Sequence, residues 1–445
     1  MAHQLFNQIL NALESRLVSI ENNIENHPQY FNAWSPKNPT RIHVFRRQTK
    51  LTLRIMFWLI VSRIVRSLPV ALDSFFSSLN LQAPTKSAFS MKRQTIKSDF
   101  FKDMLKTLVE EFYKSDAVQK WRGYVLMACD GSRLALPNVN ELGEHYGWYH
   151  TTQGENLYPT AKACVFYDTL NNITVYAKVE GKDEDEKYSF ENYFRDAVSQ
   201  TGSKTIMLLD RGYFSYNVIY LMIKNNVRFV MKAKKLPWTS EFVSSGRKQQ
   251  TMTVKPGRNT SICSNPEWVL EPEKKLTVRL VRFEHPDKSV DVLVTNLTSD
   301  EMVSASDVIA LYRMRWPVET GYGIYKNDEA LELFSSFRVD GIVQDFYGAA
   351  ILFNLASILS RDCLKKGKGN VKPDMNVVIG LIHNLCPVLT LGPGNHLLKS
   401  RLRIIVIEAT HYDIQIQPGR SFPRIRHLRK TSGKFYRHIN FALAV

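Results

Sequence analysis

Two short apolar runs, each closed by an aspartate, constrain this chain more than any other feature of its sequence. Val125-Leu126-Met127-Ala128-Cys129 leads into Asp130-Gly131-Ser132, and Thr205-Ile206-Met207-Leu208-Leu209 leads into Asp210-Arg211-Gly212-Tyr213. Continuous apolar runs of this length read as strands buried on both faces, with any site at their ends. The neighbouring patterns predict strands over 124–129, 160–168 and 173–180, a helix over 189–199, a strand over 205–209, a helix over 216–226 and a strand over 228–232.

A second pattern supplies a third carboxylate. Tyr312, Arg315, Glu319 and Lys326 stand at +3, +7 and +14 from the tyrosine, which at about 100° per residue confines them to a helical arc of roughly 60°. Pro317 falls inside that span, so the helix is expected to kink or restart there. No Gly-rich phosphate loop is present, and a carboxylate set among cations points to a divalent ion beside phosphate. Glu319 would hold the ion while Arg315 and Lys326 grip phosphate oxygens. Asp130, Asp210 and Glu319 together offer hard oxygen ligands for two Mg²⁺ or Mn²⁺ ions about 3.5–4 Å apart. No His/Cys cluster argues for zinc. Singly, each residue has an ordinary reading: Asp-Gly is a turn signal, and Arg315 with Glu319 is an i,i+4 pair.

The Asp130 block, the Asp210 block, Val294-Thr295-Asn296-Leu297, the Tyr-x2-Arg-x3-Glu-x6-Lys signature and Pro418-Gly419-Arg420-Ser421-Phe422-Pro423-Arg424 occur here in one order and spacing. In these residues the chain resembles the IS4 family of DDE transposases. The element order is that of an α/β, RNase H-like mixed-sheet core, a fold in which the first and fourth strands lie side by side and would bring Asp130 and Asp210 together, and the resemblance implies that a β-rich subdomain interrupts it. The expected division is a helical N-terminal region over 1–115, a core over 116–235 and 298–365, an inserted subdomain over 236–297 and a basic region over 366–445. The resemblance further implies binding of double-stranded terminal inverted repeats, metal-dependent cleavage of the ends and transfer of the 3′-hydroxyl strand to target DNA. Cut-and-paste chemistry, a hairpin intermediate and a synaptic homodimer belong to the same expectation. Arg315 and Lys326 would contact end phosphates, and Tyr312 would pack against the same end. Two alternatives stay open: a metal-dependent nuclease of this fold without strand transfer, and a transposase-derived protein that binds DNA without cutting it.

Charge agrees with a polyanionic partner. Lys and Arg number 59 against 42 Asp and Glu, giving a net charge of +17 and a pI near 9.5. Arg211, beside Asp210, is one candidate DNA contact. A helix-turn-helix pattern over 68–93 offers Lys86, Lys92 and Arg93, with Thr85 or Ser87 as a cap. Ten Lys/Arg between 399 and 437, Arg420 and Arg424 among them, face only Glu408 and Asp413. The acidic run Asp183 to Glu186 reads as a solvated turn, and Trp238 and Trp268 as ordinary aromatics of the insertion. Five scattered cysteines without a C-x-x-C pair fit a reducing, cytoplasmic setting at the nucleoid. The apolar stretch 55–61 is too short to cross a membrane, and no membrane partner is expected.

If phosphate neutralisation drives binding, log affinity should fall against log salt by about 0.9 per duplex phosphate contact. Deleting Arg420 to Val445 is expected to flatten that slope in filter-binding titrations. An unchanged slope in a folded truncation would make the tail's charge incidental.

Overall fold

The computed structural model describes residues 4–32, 45, 50–62, 67–150, 156–202, 204–255, 275–298, 303–315, 334–364, 371–392 and 395–415. Helices α1 (Gln4–Asn22), α2 (Leu53–Val61), α3 (Leu68–Ser77), α4 (Lys86–Arg93) and α5 (Ser98–Tyr113) come first. A mixed α/β segment follows: β1 (Val125–Ala135), α6 (Asn140–Tyr146), β2 (Trp148–His150), β3 (Asn156–Asp168), β4 (Ile173–Gly181), α7 (Glu186–Gln200), β5 (Thr205–Leu209), α8 (Tyr216–Lys224) and β6 (Arg228–Lys232). Next come α9 (Pro237–Ser244), β7 (Gln249–Val254), β8 (Leu276–Glu284), β9 (Val290–Thr295) and α10 (Ala305–Arg313). Helices α11 (Val339–Leu364), α12 (Met375–Leu389) and α13 (His396–His411) close the described chain, with a small pair of strands, β10 (Val371–Pro373) and β11 (Asp413–Gln415). The described residues fall into two compact units, one drawn from 1–117, 134–161 and 323–445, the other from 118–133 and 162–322.

The sheet runs β3-β1-β5-β6-β9-β8-β7, with β4 and β2 both pairing to β3. β1 is parallel to β5 and β5 to β6, so the first and fourth core strands are neighbours, as in an RNase H-like fold. Every residue of β5 and the first five of β1 are buried, which is why both read as unbroken apolar runs. The insertion continues this sheet. β9 pairs antiparallel with β6, and β8 and β7 follow outward. That pairing covers backbone groups on β6 that would otherwise form an open edge.

One expectation about β1 is corrected. The strand expected over 124–129 ends before Asp130-Gly131, yet it continues through both residues to Ala135. The long β3 lies alongside β1, so sheet pairing overrides the local turn preference. Asp130 marks where β1 leaves the core, since burial gives way to partial exposure there.

In the helical unit, α11 is packed on by α1, α2, α5 and α12. It is long and apolar enough to cross a membrane, but its sequence reflects burial: 94% of its most apolar window lies inside the protein. Although expected with the catalytic core, this helix packs among the N-terminal helices.

Arg93 joins that core, correcting the expectation that it faces DNA. Its residue is 5% exposed. The guanidinium donates to Gln344 Oε1 at 2.7 Å, to the Gly341 carbonyl at 2.8 Å, to Asp345 Oδ1 at 2.9 Å and to Ser335 Oγ at 2.6 Å. A planar fork of donors suits this many fixed acceptors. Arg93→Ala would leave Asp345 charged and buried, so a loss of about 3–5 kcal/mol of stability is expected in denaturant unfolding. Arg93→Met with Asp345→Leu should recover much of it. A wild-type midpoint for Arg93→Ala would show that the network contributes nothing to folding.

Candidate active site

The pairing of β1 with β5 fixes the two aspartates. Val125 is level with Thr205, and the register holds to Ala128 beside Leu208. Continued by two residues, it sets Asp130 level with Asp210, one strand spacing apart, about 4.8 Å between backbones. Asp210 keeps an extended backbone, φ −80° and ψ 171°, before the chain turns at Arg211–Tyr213. Asp210 therefore stands just past the end of β5, while Asp130 lies within β1, which runs on to Ala135.

Tyr312 reaches Asp210 from α10. That helix opens at Ser304, whose side chain and that of Asp307 exchange hydrogen bonds in a capping box. Tyr312, in the last turn, donates its hydroxyl to Asp210 Oδ1 at 3.2 Å. Burial pushes this hydroxyl's pKa up and the Asp210 charge pushes it further, against the opposing effect of Arg315, so it stays protonated as a donor. Arg315 is only 6% exposed and its guanidinium carbon lies 5.9 Å from the Tyr312 ring centroid. It is therefore not an exposed surface cation.

Of the helical face expected from Tyr312 to Lys326, only the start is described: α10 ends at Arg313 with Met314 as its C-cap. Glu319 and Lys326 lie outside the described residues, as do Arg420, Arg424 and Trp268. Among the described residues, no three His, Cys, Asp or Glu side chains converge as a metal-binding group. The described part of the site thus offers Asp130 and Asp210 as hard oxygen donors.

Arg211 pairs with Asp291 on β9, Nη2 to Oδ1 at 3.1 Å. Asp291 also receives Lys232 at 2.5 Å and His285 at 2.7 Å on its other oxygen. Burial alone would raise this carboxyl's pKa, but Lys232 and His285 outweigh it and hold it below the usual range. Arg211 thereby ties the turn after Asp210 to the inserted strands. Of the candidate DNA contacts on α4, Lys86 is exposed at the first turn. Lys92 is half-buried with its ammonium 3.9 Å from the Phe45 ring centroid, and burial brings its pKa down to about 8. Thr85 is the cap, accepting from Ala88 N. Trp238 packs against Phe214, ring centroids 6.0 Å apart.

Sequence reasoning missed Glu186. Its carboxylate lies against both glycines that follow the aspartates: a Cβ on Gly131 would meet Oε1 at 2.9 Å, and one on Gly212 would meet Oε2 at 3.0 Å. The acidic run hid it, since Asp185 does act as an ordinary cap, accepting from Lys187 N. The paired glycines were the available signal.

Residues 121–355, more than half of the chain, match the family described as Transposase DDE domain. The chain belongs to the DDE transposases and is an enzyme of that class. Its type is that of IS4: the transposase InsG of insertion sequence element IS4 from Escherichia coli (strain K12) is 22% identical over 321 residues, covering 69% of this chain and 70% of InsG. Among solved structures, the piggyBac transposase synaptic complex with hairpin DNA is similar at a TM-score of 0.42 and 11% identity, over 83% of this chain and 77% of that one.

The Val294-Thr295-Asn296-Leu297 block acts as a clasp on β6. Asn296 Oδ1 accepts from Phe229 N at 3.0 Å, its Nδ2 donates to the Val227 carbonyl at 3.0 Å, and Thr295 Oγ1 donates to the Phe229 carbonyl at 2.5 Å. Asn296→Ala should cost about 2–3 kcal/mol by leaving buried backbone groups unpaired. Urea unfolding would measure it, and a change under about 0.5 kcal/mol would show that water replaces the amide there.

Proposed function

We propose that this protein is a cut-and-paste DNA transposase that binds terminal inverted repeats, cleaves the element's ends and joins the freed 3′-hydroxyl to target DNA. The observation that carries this reading is the parallel pairing of β1 with β5, which brings Asp130 in β1 near Asp210 just past the end of β5, with the Tyr312 hydroxyl on Asp210. Two carboxylates at this spacing, with Glu319 as a third, suit a pair of hard divalent ions. Bound Mg²⁺ or Mn²⁺ would supply activation of the attacking oxygen and neutralisation of the leaving one.

The chain's own residues would do the rest. Tyr312 orients one Asp210 oxygen by donating to it, leaving the other for the ion. Arg315 and Lys326 would hold backbone phosphates of the cleaved end, and Lys86, Arg420 and Arg424 would add duplex contacts. Water and then DNA hydroxyls serve as nucleophiles, so no residue forms a covalent intermediate. A hairpin on the transposon end and a homodimer that holds two ends together complete the proposal.

Asp130→Ala, Asp210→Ala and Glu319→Ala should each abolish Mg²⁺-dependent cleavage while binding to an end fragment survives. Gel-shift and cleavage assays on one fragment decide this, and near-normal cutting by a variant would remove that residue from the set. Nicked product without any joined product in the wild type would favour a nuclease.

A further inference from the structure

A polar cleft of about 520 Å³ lies beside Gly131 and Gly212, walled by Lys162, Lys182, Lys234 and Glu186 among others. Side chains alternate along β1, so Asp130 and Gly131 face opposite ways and the cleft sits on the reverse of the ridge that carries the aspartates. Lys162 forms its floor. Its side chain is only 10% exposed, and its stem lies on Gly131, where an added Cβ would meet Cε at 3.0 Å.

A buried ammonium is expected to be fully partnered, because removing it from water is costly. This one has three N–H donors but a single hydrogen bond among the described residues, to the Glu184 carbonyl at 2.8 Å. The Glu186 carboxylate is 3.8 Å away, an ion pair too long for a hydrogen bond. Glu186 is itself 41% exposed and stands at the first turn of α7, where the helix end favours its charge. The cleft therefore presents a buried cation with donors to spare and a half-exposed counter-charge beside it.

We propose that this cleft is a subsite for a DNA phosphate flanking the one that is cut: Lys162 grips it, and Glu186 holds the place until DNA arrives. The subsite rests on the transposase reading above. A strand crossing the end of β5 would present its reacting phosphate to Asp130 and Asp210 and a neighbouring phosphate to Lys162. Lys234 adds a second cation to the lining, whereas Lys182 is paired with Asp183 at 2.6 Å. Neutralising Glu186 removes the competitor, so the two variants have opposite effects.

The test uses the full-length protein and a fluorescent duplex carrying the element's own terminal repeat, in which single phosphates are replaced by neutral methylphosphonates. Lys162→Met should weaken binding about tenfold or more, as expected for a lost charge-assisted hydrogen bond, and should lower the salt slope by about 0.9. Glu186→Gln should tighten binding. One methylphosphonate position should weaken wild-type binding yet leave Lys162→Met unaffected, which locates the phosphate. Wild-type affinity and slope in a folded Lys162→Met variant would overturn the subsite, as would unchanged or weakened binding in Glu186→Gln. If Lys162→Met does not fold, the methylphosphonate scan on the wild type, with Lys162→Arg as the partner variant, still decides: no position sensitive to the change overturns it. Failure of the wild type to bind the repeat at all would instead remove the proposed function itself.

Discussion

The parallel pairing of β1 with β5 is the constraint on which the candidate site depends. Both strands are buried on each face where they pair, and their register decides where the aspartates fall. A shift by one residue would set Asp130 beside Leu209 and turn the aspartates to opposite faces of the sheet. Hydrophobic burial of Leu126, Met127, Ile206 and Leu208 thus fixes the position of two carboxylates that take no part in the burial.

Much of this was legible in the sequence because the central strands are short, apolar and closed by Asp and Gly. The adjacency of the first and fourth strands was expected from the RNase H-like fold that the element order matches. The extent of β1 was not legible: Asp-Gly is a turn signal locally, and only the long neighbouring β3 keeps the strand extended.

Side-chain destinations were the least readable. Lys86, Lys92 and Arg93 look equivalent as letters, yet one is exposed, one lies over an aromatic ring and one is sealed in the core. Nothing near Arg93 announces Asp345, which is 252 positions away. Glu186 was hidden for the opposite reason, being one acid among four with a sufficient local explanation. Arg211 was readable as a cation beside Asp210, whereas its partner Asp291 sits in the insertion.

The burial of Arg93 bears on how the basic helix α4 can behave. That helix ends in a side chain held by a carboxylate, an amide, a hydroxyl and a carbonyl in a dry pocket, all contributed by α11 or the residues just before it. Pulling it out would forfeit about 3–5 kcal/mol, so an open form would be populated at well under about 1%. Helix α4 is therefore a fixed bracket on α11 and not a swinging arm.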